Sequence, residues 1–213
     1  MRRPSRSRQE DAPAAAAADP YPNAGPQIPG STDESTKGIT MRIHKSVVTP
    51  LGVLTLASDE GALRAVFPGV PDPAADHGLG RIVEDGFEKV ERQLSEYFTG
   101  HRCCFDLELD TRGTDFQRRV WAEVSAIPYG QTCSYKELAI RLGDAAKARG
   151  VGAALSRNPL NIVIPTHRVV GSRGALTGYS AGIDAKRFLL ELESSQATAA
   201  LRIQCAEAAG VPA

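Results

Sequence analysis

The sequence predicts a small α/β domain, an antiparallel sheet plus one helix, followed by a mainly α domain organised around a helix-turn-helix. Three observations carry this expectation. Two β-rich runs at 47–58 and 62–67 flank the turn signal Asp59-Glu60-Gly61. A stretch with helical hydrophobic spacing follows them. Farther on, Thr114-Asp-Phe-Gln117 and Ser134-Tyr-Lys-Glu137 have the form of capping boxes, each opening a new helical pattern. With 213 residues, 42% of them hydrophobic and 23% charged, the chain has the length and core for one large or two small domains. The expected division is a tail at 1–40, domains at 41–110 and 111–194, and a second tail at 195–213.

Residues 1–40 are rich in Ala, Pro, Ser, Gly and charge and almost free of large apolar side chains. They cannot offset the entropy of ordering and are expected to be disordered. Arg2, Arg3, Arg6 and Arg8 precede only an alanine tract, which makes a poor export signal. No apolar run reaches the roughly 18 residues a membrane helix needs. In the first domain a loop at 68–80 leads to a helix at 81–98, where Ile82, Val83, Phe87, Val90, Leu94, Tyr97 and Phe98 share one face and Gly100 ends the run. Residues 104–109 alternate again and are expected to rejoin the sheet. This domain carries no chemical motif and reads as scaffold.

In the second domain Phe116, Val120, Trp121, Val124 and Ile127 line the first helix, and Pro128-Tyr129-Gly130 stops it. The Ser134 box starts a short helix with Leu138, Ala139 and Leu142, closed by Gly143. A tight turn then leads to a helix at 146–156 of mostly small residues, with Arg149 and Arg157 projecting. Two short helices so joined are a helix-turn-helix pattern. The small side chains suit close packing on another helix or insertion into a narrow minor groove, and the sequence leaves both open. Residues 160–164 read as a strand, and 171–182 form a glycine-rich loop containing Tyr179 and Ser180. Asp184 is placed to cap a last helix with Phe188, Leu189 and Leu192 turned inward.

Charge is balanced but uneven. Residues 41–110 hold 7 Lys+Arg against 12 Asp+Glu, and residues 111–193 hold 12 against 7, so the second domain has the charge to face a polyanion. Cys103, Cys104, Cys133 and Cys205 form no CxxC pair and stand near no His at zinc-ligand spacing, so no metal site is expected. One core and one surface thiol at 103–104 and a reducing, cytoplasmic setting fit this usage.

The chemistry concentrates at residues 162–170, Ile-Val-Ile-Pro-Thr-His-Arg-Val-Val. An apolar β-type run delivers Pro165, Thr166, His167 and Arg168 together, a hydroxyl, an imidazole and a guanidinium at one point. This stretch resembles the active-site signature Pro-Cys-His-Arg-Val of the O6-alkylguanine-DNA alkyltransferase (methylated-DNA–protein-cysteine methyltransferase) family. The likeness continues in order through Gly113-Thr-Asp-Phe-Gln117, Ile127-Pro-Tyr-Gly130, Ser134-Tyr135, Ala148-Arg149, Val151-Gly152, Arg157-Asn-Pro159, Thr177-Gly-Tyr179 and Leu189-Leu-Glu-Leu-Glu193.

The resemblance implies a ribonuclease-H-like first domain and a winged-helix-like second one that binds duplex DNA through the minor groove and flips O6-alkylguanine into a pocket. It implies that Arg149 fills the gap left by the base and that Tyr135 acts at the 3′ phosphate and guanine N3. Arg157 and Arg168 join these two as DNA contacts, and Asn158 braces the helix-turn-helix. Tyr179, Ser180 and Pro165 line the pocket, with Ser180 near O6, while His167 and Glu193 form the relay that deprotonates the cysteine. At the cysteine's position stands Thr166, a poor nucleophile toward saturated carbon, and Cys133 lies too far from the pocket to replace it. Two functions follow from the resemblance. One is a lesion reader without efficient transfer, acting as a monomer, needing no cofactor, and passing the lesion to nucleotide-excision-repair proteins. The other is a suicide alkyl acceptor in which Thr166 is a disabling or introduced change. A helix-turn-helix regulator with a degenerate pocket is a third. A cytoplasmic place, at the nucleoid in a bacterium, goes with all three.

Overall fold

A computed structural model describes residues 41–72 and 77–196. The expected tail at 1–40, Cys205, residues 197–213 and part of the 68–80 loop lie outside the described residues. The first domain opens with strands β1 (Ile43–Thr49), β2 (Gly52–Asp59) and β3 (Ala62–Pro68), each antiparallel to the next. The turn after Asp59 has Glu60 and Gly61 both left-handed, at φ 52° and 89°. A two-residue hairpin needs that geometry to match strand twist. The single β run expected at 47–58 is instead two strands. Pro50 and Leu51 make a turn closed by Thr49, whose hydroxyl donates to Gly52 O at 2.7 Å and accepts from Leu51 N at 3.2 Å.

The sheet is mixed rather than wholly antiparallel. Strand β4 (Arg81–Ile82) runs parallel to β1, giving the order β3-β2-β1-β4. It occupies the start of the helix expected at 81–98, and α1 begins only at Glu88 (Glu88–Phe98). Gly80 explains the early strand. Its backbone is left-handed at φ 78°, and a Cβ there would lie 2.0 Å from Arg42 O, so only glycine brings β4 against the start of β1. Val90, Leu94 and Tyr97 of α1 pack on Leu54, Leu56, Leu63 and Val66 of the sheet. Gln93, buried on the same helix, bonds Asp106 at both N and O. This ties down 104–109, which is irregular and pairs with the sheet through a bridge between Leu63 and Leu109. Cys103 is buried and Cys104 exposed.

The second domain begins with α2 (Asp115–Ser125), capped by Thr114 in the full reciprocal box with Gln117. Strand β5 (Cys133–Ser134) leads straight into α3 (Tyr135–Arg141), capped likewise by Ser134 and Glu137. The helix expected at 146–156 starts as a 3-10 turn at Ala145–Lys147, with Asp144 capping Ala146 N, and becomes α4 at Ala148 (Ala148–Ser156). Trp121 joins α2 to α4 through Nε1 to Ala154 O at 3.0 Å. Strand β6 (Val169–Val170) lies parallel to β5. The last helix is α5 (Ile183–Gln196). Asp184 sits inside its first turn rather than capping it, and Phe188 is on its open side against Phe98.

The two domains share one apolar core, and β3 is where their backbones join. Leu63 pairs with 108–110, while Val66 pairs with 159–161: Val66 N donates to Pro159 O and Asn161 N to Val66 O. The free edge of the first sheet is thus completed by the loop that carries the candidate site.

Candidate functional site

Residues 160–164 are not the strand their composition suggests. They form a tight turn bridged between Asn161 and Ile164, with buried Ile162 at φ 73°. That value is a true outlier for a β-branched residue. Asn158 holds the turn from within. Its Nδ2 donates to Leu160 O and Ile164 O, both at 3.3 Å, and its Oδ1 accepts from Leu160 N at 3.1 Å. Asn158 is 1% exposed, so these bonds are made out of reach of water. The turn ends at buried Pro165 and continues into a 3-10 turn at Thr166–Arg168, with all three side chains buried.

Beneath this turn lies Glu193 of α5. Its Oε1 receives His167 Nε2 at 2.9 Å, Tyr97 OH at 2.8 Å and Arg168 NH2 at 2.9 Å, and its Oε2 receives Arg168 Nε at 2.9 Å and Gly130 N at 3.0 Å. Burial pushes this carboxyl up, but the bonds from His167 and Arg168 and the Arg168 charge outweigh it and hold the group well below the usual carboxylate range. Glu193 is therefore ionised and accepts only, so His167 carries its proton on Nε2 and leaves Nδ1 as a basic lone pair. Burial lowers the His167 pKa more than the Glu193 contact raises it, keeping the ring neutral at physiological pH. Nδ1 is buried and has no partner among the described residues. A neutral imidazole oriented by a carboxylate, with its basic nitrogen free, is the arrangement a general base requires.

Arg168 departs from its expected place among the DNA contacts. It is 6% exposed, chelates Glu193, donates to Ile127 O at 2.6 Å and lies over the Tyr129 ring at 5.6 Å. A guanidinium so engaged is a cross-brace and is unavailable to a phosphate. Arg149 and Arg157, by contrast, are exposed on α4 and at its end, with no ion pair among the described residues.

The loop after β6 closes the site. The Tyr179 ring meets His167 edge-on at 6.2 Å, and its hydroxyl is buried without a partner among the described residues. Ser180 Oγ is 2.5 Å from Asn161 Oδ1. Tyr135, at the start of α3, donates from its hydroxyl to Thr177 O at 3.1 Å, so the helix-turn-helix touches the loop directly. The glycines of α4 lie beside aromatic rings: a Cβ on exposed Gly150 would meet Phe116 at 3.6 Å, and one on half-buried Gly152 would meet Tyr135 at 3.7 Å. The small residues exposed on α4 are Gly150 and Ala153, and Ala145 and Ala146 are exposed on the 3-10 turn before it.

Two family models match the chain, both described for 6-O-methylguanine DNA methyltransferase. Its ribonuclease-like domain matches residues 43–111 and its DNA binding domain residues 115–195. The methylated-DNA–protein-cysteine methyltransferase of Mycobacterium tuberculosis is 43% identical over 162 residues, covering 75% of this chain and 97% of that one. The chain belongs to the 6-O-methylguanine DNA methyltransferase family. Another member, from Methanosarcina acetivorans, is 42% identical over 154 residues, covering 69% of this chain and 95% of its own. Among solved structures, the M. tuberculosis O6-methylguanine methyltransferase superposes with a TM-score of 0.68 at 43% identity, over 77% of this chain and 99% of that one. The same organism's protein in complex with DNA gives 0.66, over 76% and 99%.

For a member of this family, the site includes residues that gave no signal of their own in the sequence. Lys186 is fully buried on α5, and its ammonium donates to Val169 O at 2.6 Å and Thr177 O at 2.8 Å, pinning the Thr177–Ser180 loop to β6. Burial pushes its pKa down to about 8. Tyr97 enters from the first domain, and Asn161 links β3 to Ser180. The one available hint was spacing, since Lys186, Leu189 and Glu193 fall on one face of a helix. No group of three or more His, Cys, Asp or Glu among the described residues could hold a metal ion, and no helix among them is long and apolar enough to cross a membrane.

Proposed function

We propose that this protein recognises O6-alkylguanine in duplex DNA, flips it into the pocket between the Thr166 turn and the Tyr179–Ser180 loop, and holds it without efficient alkyl transfer. The observation that carries this is the pairing of Thr166 with an otherwise complete His167–Glu193 dyad. Family members accept the alkyl group on a cysteine, and Thr166 occupies that place in the motif. A thiol of pKa about 8.5 is readily made anionic by a neighbouring base, whereas an aliphatic hydroxyl is far less acidic. Hydroxyl nucleophiles succeed at acyl carbons, where an oxyanion hole stabilises an intermediate, and displacement at a saturated carbon offers none. The barrier rises by more than about 5 kcal/mol, many orders of magnitude in rate. Cys133 offers no substitute. Burial pushes its thiol up, and its contact is with Ser134 O at 3.6 Å.

Charge placement supports DNA as the partner. In the first domain six of the seven Lys and Arg side chains, all but Arg81, have carboxylate partners among the described residues. In the second, Lys136, Arg141, Arg149, Arg157 and Arg173 have none among the described residues and remain open to phosphates. Arg149 supplies the side chain that replaces the flipped base, Tyr135 acts at the 3′ phosphate, and the held lesion is passed, by a monomer, to nucleotide-excision repair.

The test is duplex DNA labelled in the O6-methyl group. Binding is expected with a Kd below about 1 μM, tighter than the ~1–100 μM of non-specific contacts, and with no label on the protein by mass. Label on any residue would overturn the reading. The intact His167–Glu193 dyad favours a second reading, a suicide acceptor disabled at one position. Both readings expect Thr166→Cys to restore transfer, but only the lesion reader binds tightly with threonine in place. Arg149→Ala should weaken lesion binding by about 1–3 kcal/mol, measured by titration, and unchanged affinity would remove its role.

A further inference from the structure

We propose that Asn161 makes Ser180 a hydrogen-bond acceptor toward the pocket, so that the site prefers O6 adducts bearing a donor, such as a hydroxyalkyl group, over plain alkyl groups. This rests on the reading of the loop as a lesion pocket. Asn161 is 2% exposed, and its amide is held at both ends. Nδ2 donates to Val66 O at 3.1 Å, on the edge strand of the first domain. Rotating the amide by half a turn would set Oδ1 against that carbonyl, two acceptors face to face, so its orientation is fixed by its partner.

Oδ1 therefore faces Ser180 Oγ, 2.5 Å away. An amide oxygen has no proton to give, and a serine hydroxyl has one. The proton of Ser180 is directed at Asn161, and what the hydroxyl presents elsewhere is lone pairs. The alkylated O6 of guanine is an ether oxygen, also without a proton, so with Ser180 near O6, as the resemblance implies, the two would meet as acceptors. An adduct ending in a hydroxyl would supply the missing donor. The first domain thus reaches the pocket through Val66 and Asn161 and sets the hydrogen-bonding sense of one of its groups.

The experiment compares duplexes carrying O6-(2-hydroxyethyl)guanine and O6-propylguanine, near-isosteric adducts that differ in a terminal donor. The full-length protein is expected to bind the hydroxyethyl duplex roughly threefold to tenfold more tightly, the range of one net hydrogen bond, although propyl is the more hydrophobic. Ser180→Ala should bring the ratio of the two affinities to about one. Asn161→Ala frees the hydroxyl to donate and should narrow the ratio, which is compared within the variant because the change also removes one tie of the turn to Val66. Equal binding of the two adducts by the unaltered protein, or a preference that survives Ser180→Ala, would overturn the inference. If neither adduct is bound better than unmodified duplex, the lesion reading itself falls, and this inference with it.

Discussion

Asp59 in the first domain and Glu193 in the second are both buried carboxylates that gather arginine, yet they are satisfied in different ways. Asp59 Oδ2 takes Arg42 at 3.1 Å and Arg112 at 3.0 Å, with Arg64 at 3.7 Å, while Oδ1 has no partner among the described residues. The side chain of Arg112 is 53% exposed, so part of this cluster is in contact with water. Glu193 uses both oxygens, its cation is buried, and its donors come from α1, the loop after α2 and the Thr166 turn. The first cluster joins the sheet to the start of the second domain and can relax into solvent. The second has no solvent to fall back on, and the polar atom it leaves spare is the basic nitrogen of His167.

The sharpest way to break this comparison is to neutralise each carboxylate. Glu193→Gln should cost about 3–5 kcal/mol, because the Arg168 guanidinium is left buried without a counter-charge. Asp59→Asn should cost about 1 kcal/mol, since Arg42 and Arg112, the partly exposed two of its arginines, can turn to water. Denaturant midpoints measure both, and equal losses would show that the two clusters are alike.

Acid distinguishes them next. The His167 pKa is depressed by burial, so below its ordinary value of about 6.5 the unfolded chain takes up a proton that the folded one resists. Stability from this group is therefore complete above about pH 6.5 and falls as pH drops. Glu193, depressed in the fold, adds a second loss once pH passes below about 4.3. Unfolding free energies from pH 7.5 to 4 should show the first limb, and His167→Gln should flatten it. The smallest effect is expected for Arg112→Ala, within about 1 kcal/mol, with lesion binding unchanged.

What could be read from the sequence was what local chemistry decides. The Thr114 and Ser134 boxes lie where their spacing places them, and the Asp59-Glu60-Gly61 hairpin forms because its turn residues demand it. Errors arose where a contact distant in sequence intervened. Ile82 and Val83 fit the helical face of α1, but pairing with β1 takes them for the sheet. Residues 160–164 are apolar and β-branched because they are buried, which composition cannot tell from being extended. Arg168 resembled its exposed neighbours in type, and only the position of Glu193, 25 residues on, turns it inward. Asn161 and Lys186 depend wholly on partners that the fold brings to them.

The bent backbone at Ile162 has a mechanical consequence. A left-handed β-branched residue costs about 1–2 kcal/mol, and it persists because both flanks are fastened. Asn161 is tied to Val66 of the first sheet, and Ile164 to Asn158 and Leu160. The first domain is thus the frame on which the Thr166 turn is strung under tension. In a chain lacking residues 41–110 the turn would go slack, Ile162 would relax toward an extended conformation, and Thr166 would lose its fixed place. Such a fragment should fold around α2, α3 and α4 and yet read lesions poorly.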